Sequence, residues 1–485
     1  MEFPQKKYIP VLLIALLTPL VGLYIYMMVW GVGFNEISVP CTDWNDEFYY
    51  YKMIQGMVDY GIPQGYFGYN ESHAIIGNLG GWSVAMLLPY AFIGRIFGWN
   101  YMTPIIINIV LWMFGLGLFA IGLKPTVKQM LIVSAVWLSF AINIRYMLSA
   151  TPEALVNVLF LIYAIGCISF IRNQNNKTWL ILADFSLVWL TLIRGYYVIF
   201  AVILMAAIYK ENKKIDVNFW SQLIVALVAA IGFVCIAHFM FAAYFTPDIA
   251  IDTLINPKAL VKKNLICLIE SLKYIKQCIL MQSMKGSWYL LYFLSIIYLI
   301  YRCVINKDIV NYSLLLAWLG LLFAMWTLYR PEEGCRHFMA AILVLAMFLP
   351  LYENKKIIIG ICVVVFLYTT WLCKEEFYMR LIPEDANQIA ALEDGQTKLD
   401  EVMKLGDNEW DNTVIFTRIT YFNDLYAIPS GFGINCCIDD YVREHFDELN
   451  SKYIAYRAGG DLDDFLAERC ELVATYGTTN MYKIR

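Results

Sequence analysis

About eleven apolar runs occupy the first 373 residues, at 8–30, 103–122, 128–147, 153–171, 178–193, 195–209, 219–244, 286–301, 310–328, 337–352 and 356–373. Most approach the roughly 20 residues that an α-helix needs to cross the hydrocarbon core of a bilayer. In hydrocarbon every backbone N–H and C=O must be satisfied by the chain itself, so runs like these fold as helices in a bundle. Composition agrees: only 16% of the 485 residues are charged and 60% are apolar, where a soluble chain carries about 25% charge. The net charge of −4 removes the basic face that nucleic-acid binding needs. The first run lacks a small-residue cleavage site and reads as an anchor rather than a removed signal peptide.

The stretch 77–97 holds Gly80, Gly81, Pro89, Gly94 and Arg95 and makes a poor span. It suits a re-entrant or surface-lying helix. Charge decides the topology. With 77–97 left out, Lys6 and Lys7 precede the first span. Successive inner turns then carry Lys124 and Lys128, Arg172 and Lys177, Lys210, Lys213 and Lys214, Arg302 and Lys307, and Lys355 and Lys356. That is the positive-inside bias. If 77–97 crossed, the bias would reverse. Residues 31–102 therefore form a long first outer loop, and the segment 374–485 also falls outside. A further outer loop spans 245–284, where Leu260–Met281 has the pattern of an amphipathic helix lying on the bilayer, either gating a lateral groove or capping the bundle.

Past Lys374 charges become frequent. Pro383–Met403 reads as helix, Thr413–Thr417 and Tyr453–Ala455 as strands, and Glu471–Thr475 with Met481–Ile484 as a hairpin across Gly477–Asn480. The expected fold is an all-α polytopic membrane bundle of about 11 transmembrane helices (residues 1–373), followed by a small extracytoplasmic α/β domain (374–485). Twelve cysteines contain no Cys-x-x-Cys pair. In an oxidising compartment Cys436 or Cys437 could bridge to Cys470, and free buried thiols are the alternative.

The outer face collects the chemistry. Asp43, Asp46 and Glu47 open the first loop, and His73 follows in it. Carboxylates held at a membrane face bind a cation or move a proton, unless they sit in a solvated loop or cap a helix. Arg145 and Glu153 lie in the next outer turn, Arg194 in a third, and Arg330, Arg336 and His337 in a fourth. Arginine is depleted on this face, so each needs an anionic ligand or a structural ion pair. Carboxylates from two loops and arginines from three suit transfer of a group from a phosphorylated carrier. Arginines hold the phosphate leaving group and a carboxylate takes the proton of an acceptor hydroxyl. No P-loop, HExxH, GxSxG or GxGxxG pattern is present.

This layout resembles the GT-C superfamily of integral-membrane glycosyltransferases, which includes protein O-mannosyltransferases and the aminoarabinose transferases of lipid A. The resemblance rests on one span followed by a long outer loop with an early Asp-Glu pair (Asp46-Glu47), and on an acid opening a later span on the outer side (Glu153). It rests too on basic residues in later outer loops (Arg330, Arg336, His337) and on a terminal outer domain. The His-Pro-Pro-Leu type signature is replaced by His73-Ala74-Ile75-Ile76.

The resemblance implies transfer of a sugar from a polyprenyl-phosphate donor to a glycan, lipid or protein acceptor, with inversion, at the bacterial plasma membrane. Asp46 is the expected general base, supported by Glu47 or Asp43. Arg336, Arg330 and His337 are expected on the donor phosphate, with Arg194 and Arg145 as further candidates. Asp43, Glu153 and His73 are expected to position the acceptor or a divalent cation. The competing readings are a flippase for lipid-linked sugars, which needs matched inner and outer sites, and a polysaccharide polymerase or ligase.

Overall fold

The computed structural model describes residues 8–34, 37, 45–63, 70–71, 83–173, 176–239, 256–281, 284–331, 335–367, 387–417, 420 and 423–485. The helices are α1 (Ile9–Trp30), α2 (Asn45–Tyr60), α3 (Leu88–Phe97), α4 (Thr103–Leu123), α5 (Val127–Ser139), α6 (Ala141–Met147), α7 (Glu153–Arg172), α8 (Lys177–Ile193) and α9 (Ala201–Asn212). They continue as α10 (Val217–Phe239), α11 (Pro257–Met281), α12 (Met284–Asn306), α13 (Ile309–Leu328), α14 (Met339–Tyr352) and α15 (Lys355–Leu367). Each apolar run is helical over most of its described residues. Among these helices six stretches are long and apolar enough to cross a membrane: Ile9–Trp30, Thr103–Leu123, Glu153–Arg172, Val217–Ala237, Gly286–Asn306 and Ile309–Leu328.

Two runs read as single spans are not continuous α-helix. The run 128–147 stops at Phe140, whose ψ of 88° leaves the helical region. There the Asn143 amide donates to the Trp137 carbonyl at 2.9 Å, so a side chain takes a carbonyl that helix continuation would have used. The run 195–209 opens as a 3₁₀ turn, Gly195–Phe200, before α9 begins. Close helix packing is carried by small residues. A Cβ at Gly166 of α7 would lie 2.8 Å from the Trp179 carbonyl of α8, so the two backbones touch where no larger residue fits.

The described part of 77–97 lies along a surface. Helix α3 is ten residues long, about 15 Å, too short to span. Leu88, Phe92, Ile96 and Phe97 are exposed while Tyr90, Ala91 and Gly94 are buried, the stripe of an interfacial helix. Helix α11 likewise exposes Val261, Leu265, Ile269 and Leu272. Its Lys263 ammonium donates to the Thr327 carbonyl at the end of α13 at 2.6 Å, which ties α11 across the end of the bundle.

The C-terminal unit holds α16 (Asn387–Val402), β1 (Thr413–Thr417), β2 (Gly433–Cys437), α17 (Asp439–Glu444), β3 (Tyr453–Arg457), α18 (Asp463–Arg469), β4 (Cys470–Tyr476) and β5 (Thr479–Ile484). Strand order is β2-β1-β3-β5-β4, with β1 parallel to both neighbours and β5 antiparallel to β3 and β4. The four strands read from sequence are present, and β2 is added. The order also rules out the contemplated disulfide. Cys437 on β2 and Cys470 on β4 sit on opposite edge strands, about 19 Å apart at normal strand spacing, beyond the roughly 7 Å limit for bridging. Both are buried thiols.

This unit sits against α2. The Phe48 and Tyr51 rings pack on Tyr426 with centroids 5.0 and 5.1 Å apart. The buried Lys52 ammonium donates to Gln55 Oε1 at 2.7 Å and to the Ile428 carbonyl. Burial pushes Lys52 down to about 7. The segment after α2 is tied to the same unit: the Glu71 carboxylate accepts from the backbone N–H of Asn450 at 2.8 Å and of Ser451 at 2.6 Å.

Candidate active site

Helix α2 begins at Asn45, so Asp46 and Glu47 occupy its first turn rather than the capping position, where the helix dipole favours acids. They point to different places. Glu47 is fully buried and its Oε1 accepts from the Ala150 N–H at 3.2 Å, in the turn that joins α6 to α7. That turn is held from below by Asn108 of α4. Its amide donates to the carbonyls of Tyr146 at 3.1 Å, Met147 at 3.3 Å and Ser149 at 2.8 Å, while its Oδ1 accepts from the Tyr90 hydroxyl at 2.6 Å. Burial drives the Glu47 carboxyl up from 4.5 to about 7, against the pull of Ser149, Ala150 and the Arg145 charge.

Asp46 faces outward. Its Oδ2 accepts from Arg336 Nη1 at 2.6 Å, and the two side chains keep 38% and 29% of their exposure. Beside them is a buried pair. Arg194 donates from Nη1 to Glu153 Oε2 at 3.1 Å and from Nη2 to Oε1 at 2.5 Å, a bidentate fork in which the arginine side chain is 1% exposed. His337 is buried between the Tyr196 and Tyr329 rings, at 6.0 and 4.9 Å. Tyr50, one helical turn beyond Asp46, lies in the field of Asp46, Arg336, Arg194 and Glu153. Burial lifts its hydroxyl to about 12, so it stays protonated at neutral pH.

The structure thus gathers Asp46, Glu47, Arg145, Glu153, Arg194, Arg336 and His337 around the start of α2. Arg330 stands apart: it is exposed and lines a groove with Lys262, Lys263, Glu270 and Tyr329 along α11. Asp43 and His73 lie outside the described residues. Among the described residues no three His, Cys, Asp or Glu side chains converge as a cation site, and both Glu153 oxygens are taken by Arg194. Sequence reading passed over Tyr50, Tyr196, Tyr329 and Lys52. An aromatic or lysine in a hydrophobic chain carries no mark of its partners, which come from other helices.

The cluster holds three carboxylates against three guanidiniums, so it is neutral only when Glu47 is ionised. This sets a testable pH dependence. The native Glu47 binds its proton more tightly than the unfolded chain does, so its contribution to stability is full below about pH 4.5 and is lost as pH rises through about 7. Glu47→Gln is expected to flatten the fall in stability between pH 5 and 8, by an amount on the order of 3 kcal/mol at the alkaline end, read as a smaller drop in melting temperature. Parallel pH dependences for wild type and variant would show that Glu47 is not the group responsible.

No protein-family model matches the sequence, and no curated protein matches it. Solved structures do. ArnT from Cupriavidus metallidurans in the apo state superposes with a TM-score of 0.53 at 9% identity, over 96% of this chain and 97% of that one. The apo oligosaccharyltransferase of Archaeoglobus fulgidus superposes with a TM-score of 0.50 at 11% identity, over 93% of this chain and 70% of that one. The chain has the GT-C fold. At these identities the likeness is one of backbone architecture. This fold brings the first turn of α2 against the turn after α6 and the residues just before α14, and it joins the start of α7 to the end of α8 through Glu153 and Arg194.

Proposed function

We propose that this protein is a membrane glycosyltransferase that moves a sugar from a polyprenyl-phosphate donor to an acceptor hydroxyl on the extracytoplasmic face, with inversion at the anomeric carbon. The observation that carries the reading is the half-exposed Asp46–Arg336 pair, a carboxylate and a guanidinium side by side at the mouth of a buried polar cluster. Asp46 takes the proton of the acceptor hydroxyl. The oxygen attacks the anomeric carbon, the carbon–oxygen bond to the phosphate breaks, and the charge that develops on the phosphate meets Arg336. Arg336 Nε and both ring nitrogens of His337 are buried with no hydrogen-bond partner among the described residues. Phosphate oxygens supply acceptors for the Arg336 Nε–H and for one ring N–H of His337. Glu47 is too deeply buried to reach an acceptor, and its role in this scheme is to hold the turn at 149–151 against α2.

The test is transfer by the purified full-length protein in nanodiscs, offered a panel of short-chain polyprenyl-phosphate sugars. Release of polyprenyl phosphate and the anomeric configuration of the product are read together. A retained configuration would overturn the Asp46 mechanism, and no turnover with any donor would overturn the reading. In the same assay Arg336→Ala is expected to weaken donor binding by about 1.5–3 kcal/mol, the worth of a charge-assisted phosphate contact. Unchanged affinity would make Arg336 a structural partner of Asp46 alone.

The proposed topology has eleven crossings with the C-terminal unit outside. Single cysteines placed at Asn70 and Asp440 are expected to react with an impermeant thiol reagent from outside, and those at Lys213 and Lys307 only after permeabilisation. The opposite pattern would invert the site as well as the topology.

A further inference from the structure

A cavity lined by basic residues lies at the far end of the bundle. Helix α7 runs from Glu153 in the site to Arg172, 20 residues away, about 30 Å along the axis. There Arg172, Lys210 at the end of α9, and Arg302 and Lys307 at the end of α12 line one cavity of about 650 Å³ together with Asp308, Asn311 and Tyr352. Basic residues at inner helix ends are expected from topology and from helix dipoles alone. Those rules do not make four cations from three helices line one cavity.

Charge in the cavity is not balanced. Lys210 donates to Asp308 Oδ2 at 2.7 Å, and Arg302 pairs with Glu353. Arg172 donates to the Leu123 carbonyl at 3.1 Å and the Tyr352 hydroxyl at 2.5 Å, which order its guanidinium without neutralising it. Lys307 is exposed and has no ion-pair partner among the described residues. Two positive charges are left over. The surroundings are apolar: Ile168, Ile171 and Val310 line the wall, and Val304, Ile305, Ile309 and Tyr312 beside it are exposed.

We propose that this cavity binds the phosphate headgroup of an anionic phospholipid, with its acyl chains along Val304, Ile305, Ile309 and Tyr312. A guanidinium held in place by Leu123 and Tyr352 and an exposed ammonium beside it suit a lipid phosphate, and the exposed apolar face favours a lipid over a free anion. The site stands apart from the sugar-transfer reading, since none of its residues belongs to the Asp46 cluster.

Binding is measured on the purified full-length protein in detergent, titrated in turn with short-chain phosphatidylglycerol, phosphatidylcholine and inorganic phosphate. Phosphatidylglycerol is expected to bind and to raise the melting temperature. The double variant Arg172→Gln/Lys307→Gln is expected to weaken that binding about tenfold or more. Arg172 also braces the Leu123 carbonyl, so Lys307→Asn serves as a second variant. Asparagine tolerates the left-handed φ of 45° found there, and the fold is kept while one charge is lost. A smaller but measurable loss is expected from it. Equal binding of phosphatidylcholine, or unchanged affinity in Lys307→Asn and the double variant, would overturn the site. Inorganic phosphate binding as tightly as phosphatidylglycerol would overturn the lipid assignment.

Discussion

Asp46→Asn is expected to lower turnover by about 10²–10⁴-fold, the usual contribution of general-base catalysis, while leaving the fold and donor binding largely intact. The geometry makes the two effects separable. Asparagine keeps the shape of aspartate and one oxygen for Arg336, but it cannot take a proton. The lost ion pair is more than a quarter exposed on both sides, and such pairs contribute about 0–1 kcal/mol. A loss of rate therefore cannot be put down to unfolding, and melting temperature measured on the same sample shows this directly. Glu47→Gln is the internal control. Its carboxyl is fully buried beneath the turn at 149–151, so turnover at the optimum pH should fall far less. A larger loss from Glu47→Gln than from Asp46→Asn would exchange the two roles, and near-wild-type turnover in Asp46→Asn would sink the assignment of the base.

The helices were legible in the sequence because a bilayer imposes length and apolarity together, and both are read residue by residue. The breaks were not. Phe140 is apolar and sits mid-run, and the helix stops there because Asn143 reaches back to the Trp137 carbonyl, a three-dimensional event. In the site, residue types were readable, since carboxylates and arginines stand out against a largely apolar chain. Pairing was not. Asp46 and Arg336 lie 290 residues apart, and nothing in their local sequence says that Arg336 meets Asp46 while Arg194 meets Glu153. Arg330 shows the limit clearly: it sits six residues before Arg336, yet it faces the α11 groove instead of the cluster. Strand β2 was missed because Gly433-Ile434-Asn435-Cys436-Cys437 holds one β-branched residue beside a glycine and an asparagine, types depleted in strands, whereas the equally buried β1 reads Thr413-Val414-Ile415-Phe416-Thr417.

The buried Glu153–Arg194 pair gives the second large effect. Glu153→Gln leaves a guanidinium that is 1% exposed without its counter-charge, and breaking one side of such a pair costs about 3–5 kcal/mol. The loss should appear as a marked drop in melting temperature and in the yield of folded protein. Removing both charges is a different experiment. In Glu153→Leu/Arg194→Met two apolar side chains replace the pair, no buried charge is left alone, and most of the lost stability should return. The rescued double variant then asks what Arg194 is for. Both terminal nitrogens of Arg194 are committed to Glu153 in the structure, which makes it a strut that sets the wall beside His337 rather than a phosphate ligand. Donor affinity in the double variant should therefore stay near that of the wild type. If stability is restored and donor binding is lost, Arg194 joins Arg336 in holding the phosphate, and its fork onto Glu153 is the resting state of a residue that turns to the donor.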